Sequence, residues 1–415
     1  RGDQRAERIE FWAIGSEGEV VAPLVREFER LHPGTEVRIQ QIPWTAAHEK
    51  LLTAFAGDAL PDVCQLGNTW IAEFAALGAL EDLSDRVGAD RPVDPQAFFP
   101  GVWEGNVVGD DAARERLYGV PWYVDTRVLF YRTDLLAAAG FAEPPRSWDE
   151  WLAMARAVQT RQGADDHAML LPTNEWEQPV ILGLQAGSTM LRDGGRYGGF
   201  EQPEFARAFE FYASIFAEGL APKTPNTRIA NVWQEFERGA FVFYVTGPWN
   251  VAEFRKRLGP AMNGKWTTAP LPGPDDQFPG ASMAGGCSLV LFAASPRKDA
   301  AWRLVEYLAC PEQQAAFFAA SGNLPTRRAA WQDPRLAQDE HLAAFRRQLD
   351  NVVALPRVPE WEQIAMRVWP AAEAAINGRA TTAAALARLD RQVDSILEKR
   401  RWMLARHSPR IAEAD

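Results

Sequence analysis

The sequence predicts an α/β fold, and three observations carry that expectation. The first forty residues read strand, helix, strand. Beyond them the apolar spacing keeps switching between the short runs of buried strands and the i, i+3, i+4 stripes of amphipathic helices. The chain has 415 residues, 47% of them hydrophobic and 24% charged, enough for two or three separately buried cores. That composition excludes a disordered or collagen-like chain and a disulfide-stapled miniprotein.

Residues 9–14 form a short apolar run ending at Gly15, which suits a buried strand. Ser16-Glu17-Gly18-Glu19 matches the S-x-x-E capping box, with Ser16 expected to accept from a backbone N–H three residues on. Val21, Leu24, Val25, Phe28 and Leu31 make the apolar stripe of the helix that follows, and His32-Pro33-Gly34 stops it. Residues 37–42 are the next strand, and a crossover helix between two strands implies parallel pairing. Residues 48–56 read as helix, Val63 to Gly67 as a strand, and residues 70–77 as a short helix closed by Gly78. Residues 88–109 are loop-rich. Strand composition returns over 117–125 and 128–131. Ser147-Trp148-Asp149-Glu150 is a second capping box, after Pro144-Pro145. The helix it starts carries Trp151, Leu152, Ala155 and Val158 on one face. The middle of the chain is mostly helical, with a glycine-marked turn at 194–199. Residues 241–245 and 288–293 read as strands. A helix follows Ser295-Pro296, and a last one from Thr381 shows Leu386, Leu389, Val393 and Ile396 at helical spacing.

Charge and motifs narrow the chemistry. Lys+Arg is 44 against 55 Asp+Glu, a formal net charge of −11, so the chain lacks the positive field that nucleic acid or anionic lipid needs. Cys64, Cys287 and Cys310 allow at most one disulfide. With no CxxC pair and five scattered histidines, neither a metal site nor a redox motif is expected, and no cofactor. No apolar run reaches the ~18 residues of a membrane span. The start at Arg1, without Met or an apolar leader, leaves a removed export signal and a trimmed start equally open. No catalytic residue is nominated. Gly15-Ser16-Glu17-Gly18 has the wrong spacing for a nucleophile elbow, and Ser295-Pro296-Arg297-Lys298 lacks the partner elements of its motif. The glycines at 194–199 do not sit between a strand and a helix, His48-Glu49 lacks a second histidine, and there is no phosphate loop. A glycosidase needs two facing carboxylates, and nothing singles out a pair among 55 acids.

Seven segments, in order, resemble the family 1 extracellular solute-binding proteins of the maltose- and trehalose-binding type. They are the opening from Phe11-Trp12 through Phe28 to Pro33-Gly34 and Val37, Pro61-Asp62-Val63, and Tyr118-Gly119-Val120-Pro121 with its strand to Leu135. Pro145-Arg146-Ser147-Trp148-Asp149-Glu150, Gly247-Pro248-Trp249, Gly285-Gly286 and Gly322-Asn323-Leu324-Pro325 complete the set. The resemblance implies a two-lobed periplasmic-binding-protein fold (type II) with a ligand cleft between lobes that close by hinge motion. The expected lobes are 1–122 plus 287–325 and 123–286 plus 326–415, with crossings near 122–125, 286–288 and 325–328. It implies the substrate-binding component of an ABC importer, without enzymatic activity. The ligand is a di- or oligosaccharide, with a trehalose- or maltose-like α-glucoside favoured. Partners are that small-molecule carbohydrate and a membrane permease, not nucleic acid. The protein is expected to be a monomer, in the periplasm or lipid-anchored on the outer face of the cell membrane.

Carried over by position, the ligand-binding residues are Glu17, His48, Asn68, Trp70, Tyr123, Asp125, Trp249, Gly286 and Arg357. Sugar hydroxyls need paired polar groups and sugar faces need aromatic rings, which accounts for the residue types. Plainer roles stand beside these: Glu17 as an acid at a helix start, His48 on the surface, Asn68 and Asp125 in turns, Trp70 in the core. Trp151, Trp302 and Trp402 fit helical stripes and are expected to pack. Some relatives carry an acid at Asn68 and an aromatic at Cys287, which shifts ligand preference. The other readings are a carbohydrate-active hydrolase using Glu17 and Asp125, or a binder of polyols, glycerol phosphodiesters or peptides.

Overall fold

The computed structural model describes residues 6–109, 114–229 and 231–407. Arg1 and the outer ends of the two expected lobes, residues 1–5 and 408–415, lie outside them. The architecture is α/β with two lobes, each built on its own sheet.

The first strand, Glu7–Ile14, pairs in parallel with Thr35–Ile42 from Glu7↔Thr35 to Ile14↔Ile42, and in parallel with Val63–Gly67. The helix Glu17–Leu31 makes the crossover that this pairing requires. It buries Val21, Leu24, Val25 and Phe28 against the sheet, while Leu31, at the end of the stripe, stays 50% exposed. The sheet continues through Ser282–Leu291, Val120–Asp125 and Leu324–Pro325, now antiparallel, and Val352–Ala354 pairs with the start of Ser282–Leu291. The second lobe carries a four-stranded sheet in the order Trp266–Ala269, Val128–Arg132, Phe243–Thr246, Met169–Leu170. Helices Trp148–Gln159, Glu177–Gln185, Pro203–Ala217, Trp361–Ile376 and Thr382–Ile396 surround it and share a core that includes Trp151, Phe205, Tyr212, Trp361 and Leu389.

The strand composition at 117–131 resolves into separate strands. Val120–Asp125 belongs to the first sheet and Val128–Arg132 to the second, so the chain changes sheets at Thr126-Arg127. The strand expected to begin at 288 begins at Ser282, six residues earlier. Gly286 lies inside it at φ +108, and a Cβ there would come within 2.3 Å of the Tyr123 carbonyl oxygen. Only glycine lets the two crossing strands approach this closely.

The two capping boxes part ways. Ser147 is extended, and its Oγ accepts from Glu150 N at 3.1 Å. Ser16 is in the helical region and its side chain caps nothing, because an N-cap needs an extended backbone to turn Oγ onto the first N–H groups. The Ser16 carbonyl instead accepts from Glu19 N and Val20 N. The tryptophan assignment needs one correction. Trp151 and Trp302 are buried, but Trp402 is 56% exposed, since the helix Glu398–His407 lies at the edge of the second lobe with Arg406 over the ring. All three cysteines are free.

Candidate functional site

The first lobe presents a rim where its parallel strands end. Gly15, at φ +77, closes the first strand, and a Cβ there would sit 2.6 Å from both Glu17 Oε2 and Trp44 Nε1. The carboxylate of Glu17 and the ring of Trp44 therefore meet over a bare backbone. Glu17 Oε1 accepts from the Tyr123 hydroxyl and from Asn323 Nδ2, each at 3.3 Å. Tyr123 is buried and its hydroxyl accepts from Gln65 Nε2 at 2.9 Å. Burial pushes the Tyr123 pKa well above its ordinary value, and Cys287 and Glu17 push the same way, so the phenol keeps the proton it donates. Burial also pushes the Cys287 thiol up to about 12.

Beside this group, Trp70 meets His48 edge-on at 5.1 Å and Trp44 at 5.9 Å. His48 Nε2 lies 2.6 Å from Glu73 Oε2, so His48 braces Trp70 from behind. Asn68 clamps the end of the third strand to the crossing strand, with Nδ2 donating to Gly285 O at 3.2 Å and Oδ1 accepting from Ser288 Oγ at 2.8 Å. Its neighbour Thr69 donates to Glu362 of the second lobe.

The second lobe offers a charged cluster under an exposed ring. Arg127 is 9% exposed. Its Nη1 lies 2.6 Å from Asp125 Oδ1 and its Nη2 3.5 Å from Glu177 Oε1, and its guanidinium sits 4.6 Å from the centre of the Trp249 ring. Burial works against the Arg127 charge, but Asp125 and Glu177 outweigh it and leave the pKa raised. Burial raises the Glu177 pKa, and Arg127 only partly offsets it. Trp249 begins the helix Trp249–Arg257 and is 48% exposed. A Cβ on Gly247 would strike its ring at 2.0 Å, so Gly247 makes room for the ring to lie flat.

Around this cluster opens a cavity of about 560 Å³. Trp176, Trp233, Trp249, Trp369 and Tyr244 line it, with Arg127, Asn174, Glu175 and Glu177 between the rings. Its size falls in the range of small-molecule sites. A second cavity of about 580 Å³, bordered by residues 188–195 and 353–358, has no aromatic ring in its wall.

The structure thus brings Glu17 and Tyr123 together, and Asp125 and Trp249 together through Arg127. Gly286 packs against Tyr123. Asn68 and Arg357 stand apart from the aromatic cavity and line a narrow gap of about 20 Å³ with Thr69 and Ala284. Arg357 donates to Val107 O at 2.7 Å and pairs with Glu115 at 3.3 Å and Glu104 at 3.5 Å. Among the described residues no cluster of His, Cys, Asp and Glu could hold a metal ion. Sequence reasoning missed Arg127, Trp44, Trp176, Trp233, Trp369 and Asn323. For Arg127 a signal existed: a lone cation between two apolar strands has to be neutralised by neighbours. The four tryptophans carried none, because they come from separate helices and loops that only the fold brings together.

The comparisons with known proteins agree with this architecture. The sequence pattern described as bacterial extracellular solute-binding protein matches residues 14–315. The sugar-binding protein MalE of Xanthomonas citri is 49% identical, with a TM-score of 0.92 over 96% of this chain and 99% of that one. The maltose-bound MalE3 of T. maritima is 26% identical, with a TM-score of 0.73 over 94% of this chain and 100% of that one. The diacetylchitobiose binding protein DasA of Streptomyces coelicolor is 25% identical over 350 residues, 83% of this chain and 78% of that protein.

Proposed function

We infer the function from one premise: the chain belongs to the bacterial extracellular solute-binding proteins. It is the sugar-capturing component of an ATP-driven importer, and it holds a di- or oligosaccharide until a membrane permease takes it. The observation that carries this reading is the aromatic cavity. Four indole rings and a phenol form its walls, with Glu175, Glu177, Asn174 and Arg127 placed between them. A sugar has apolar C–H faces that stack on rings and hydroxyl edges that need paired donors and acceptors. The 49% identity to a MalE supports an α-glucoside of the maltose or trehalose kind. Trp249 would take a sugar face and Asp125 a hydroxyl, while Glu17 and Tyr123 would contact the ligand from the first lobe on closure. As a member of an exported family, the protein works in the periplasm or on the outer face of the membrane.

The cavity speaks against the alternatives. A phosphodiester would need free cations, and the cation in this wall, Arg127, is committed to two carboxylates. Hydrolysis through Glu17 and Asp125 finds no support in the family, which is one of solute-binding proteins.

Calorimetry and intrinsic fluorescence over a panel of neutral disaccharides test the reading. An α-glucoside is expected to bind and to change tryptophan emission, without release of monosaccharide. No binding across the panel, or sugar cleavage, would overturn it.

A further inference from the structure

Arg127 stands where the chain leaves the first sheet for the second, between the strands Val120–Asp125 and Val128–Arg132. It is buried, and a buried cation persists only when it is paired. Its backbone is fixed by the crossing strand. Arg127 N donates to Ser282 Oγ at 3.2 Å, and the same hydroxyl donates to Arg127 O at 2.9 Å. Ser282 opens the strand Ser282–Leu291 and is itself fully buried. The guanidinium is fixed from two further sides. Asp125, at the end of its strand, takes Nη1 at 2.6 Å. Glu177, at the start of the helix Glu177–Gln185, faces Nη2 at 3.5 Å. One planar cation is thus held by three separate elements.

Its remaining contact is of another kind. The guanidinium lies over the Trp249 ring, 4.6 Å from the ring centre. A planar cation stacks well on an aromatic face, and the attraction grows as water is excluded. One face of the indole is therefore taken, yet the residue remains 48% exposed. The face left for a ligand is the one turned away from Arg127. Trp249 is the first residue of its helix, and a half-exposed ring at a helix start has several rotamers open to it. Ordering such a ring at the moment of binding costs free energy, and a ring already held does not incur that cost.

We propose that Arg127 is a positioning residue for the sugar: it holds the Trp249 ring ready for stacking and acts on the sugar through that ring. The proposal rests on the aromatic cavity being the sugar site. The residue type matters. A lysine ammonium keeps the charge beside Asp125 and Glu177 but has no plane to lay against the indole.

A double-mutant cycle tests this, with Arg127→Lys, Trp249→Ala and the two combined. Each is titrated in the calorimeter with maltose and with trehalose, and the disaccharide that the wild type binds is the probe. Arg127→Lys is expected to weaken binding roughly three- to tenfold, the worth of a cation–π contact. In the Trp249→Ala background the same change is expected to cost less than about twofold, because the ring through which it acts is gone. Equal losses in both backgrounds overturn the proposal, and so does unchanged affinity in Arg127→Lys. If Arg127→Lys does not fold, a crystal structure of the wild type with the bound disaccharide decides. Sugar stacked on the face of Trp249 opposite the guanidinium is expected, and sugar hydrogen-bonded directly to Arg127 overturns the proposal. A wild type that binds no sugar overturns the functional reading and this one together. Sugar binding with equal losses overturns this one alone.

Discussion

Glu177 sits where a neutral acid is held more readily than a carboxylate. Burial raises its folded pKa above the ordinary carboxylate value, and Arg127 at 3.5 Å recovers only part of the loss. The sign follows from linkage. An acid whose pKa is raised by folding contributes stability below its unfolded pKa and loses it as pH rises through the folded one. As pH rises past the unfolded pKa the wild type loses stability that a glutamine retains. Glu177→Gln is therefore expected to melt higher than wild type near pH 7, with the gap closing as pH falls through the carboxylate range. Thermal melts across a pH series check this. Trp249 poses the opposite case. It is 48% exposed, so Trp249→Ala is expected to leave the melting temperature nearly unchanged. Loss of its stacking face should weaken sugar binding by roughly ten- to a hundredfold in calorimetry. These two residues also mark what could be read from the chain. The place of Trp249 just past a strand end was legible, because Gly247-Pro248 announces it. Glu177 was not, because its significance depends on a cation fifty residues earlier in sequence.

At the scale of elements, the strand Ser282–Leu291 joins more of the molecule than any other. It pairs with Val63–Gly67, with Val120–Asp125 and with Val352–Ala354. Gly286 sits within the second of these pairings, at positive φ with the Tyr123 carbonyl beneath it. Gly286→Ala combines a strained backbone with a collision against main chain that cannot rotate away. Its expected cost is about 1–3 kcal/mol or more, read from urea unfolding. Most elements were legible where periodicity was strong, as in the helix Glu17–Leu31 and its flanking strands. This crossing strand was only half legible. Ser282, Ala284, Gly285 and Gly286 give no apolar alternation, and their pairing is decided by partners remote in sequence. The Ser16 box failed for a related reason. A motif states which atoms are available, while the incoming backbone decides where they point.

For the whole molecule, the two sheets were foreseeable from composition and resemblance, but the meeting of their edges was not. Arg357 shows why. Its position in the sequence suggested a contact with ligand, yet its guanidinium is taken up by Val107, Glu104 and Glu115. Only the assembled chain reveals which charges are already spoken for. A ligand that joins both lobes stabilises the folded state as a unit. Saturation at about 100 times Kd is expected to add about 2.7 kcal/mol, visible as a rise in melting temperature.

The walls of the aromatic cavity have a consequence in time. Its lining side chains run from Arg127 to Trp369, and none belongs to the sheet of the first lobe. If the sugar sits in this cavity, as proposed, capture is expected to begin on the second lobe alone, with the first arriving afterwards to confine what has been caught. Encounter and residence then answer to different residues. Stopped-flow fluorescence should find that Glu17→Gln leaves the association rate constant as it was and shortens the dwell time of the sugar. An altered association rate with an unchanged dwell time would mean that both lobes meet the sugar at once. If capture does come first, the rate of uptake from dilute surroundings is set by the four indoles, and the first lobe decides how long the cargo waits for its transporter.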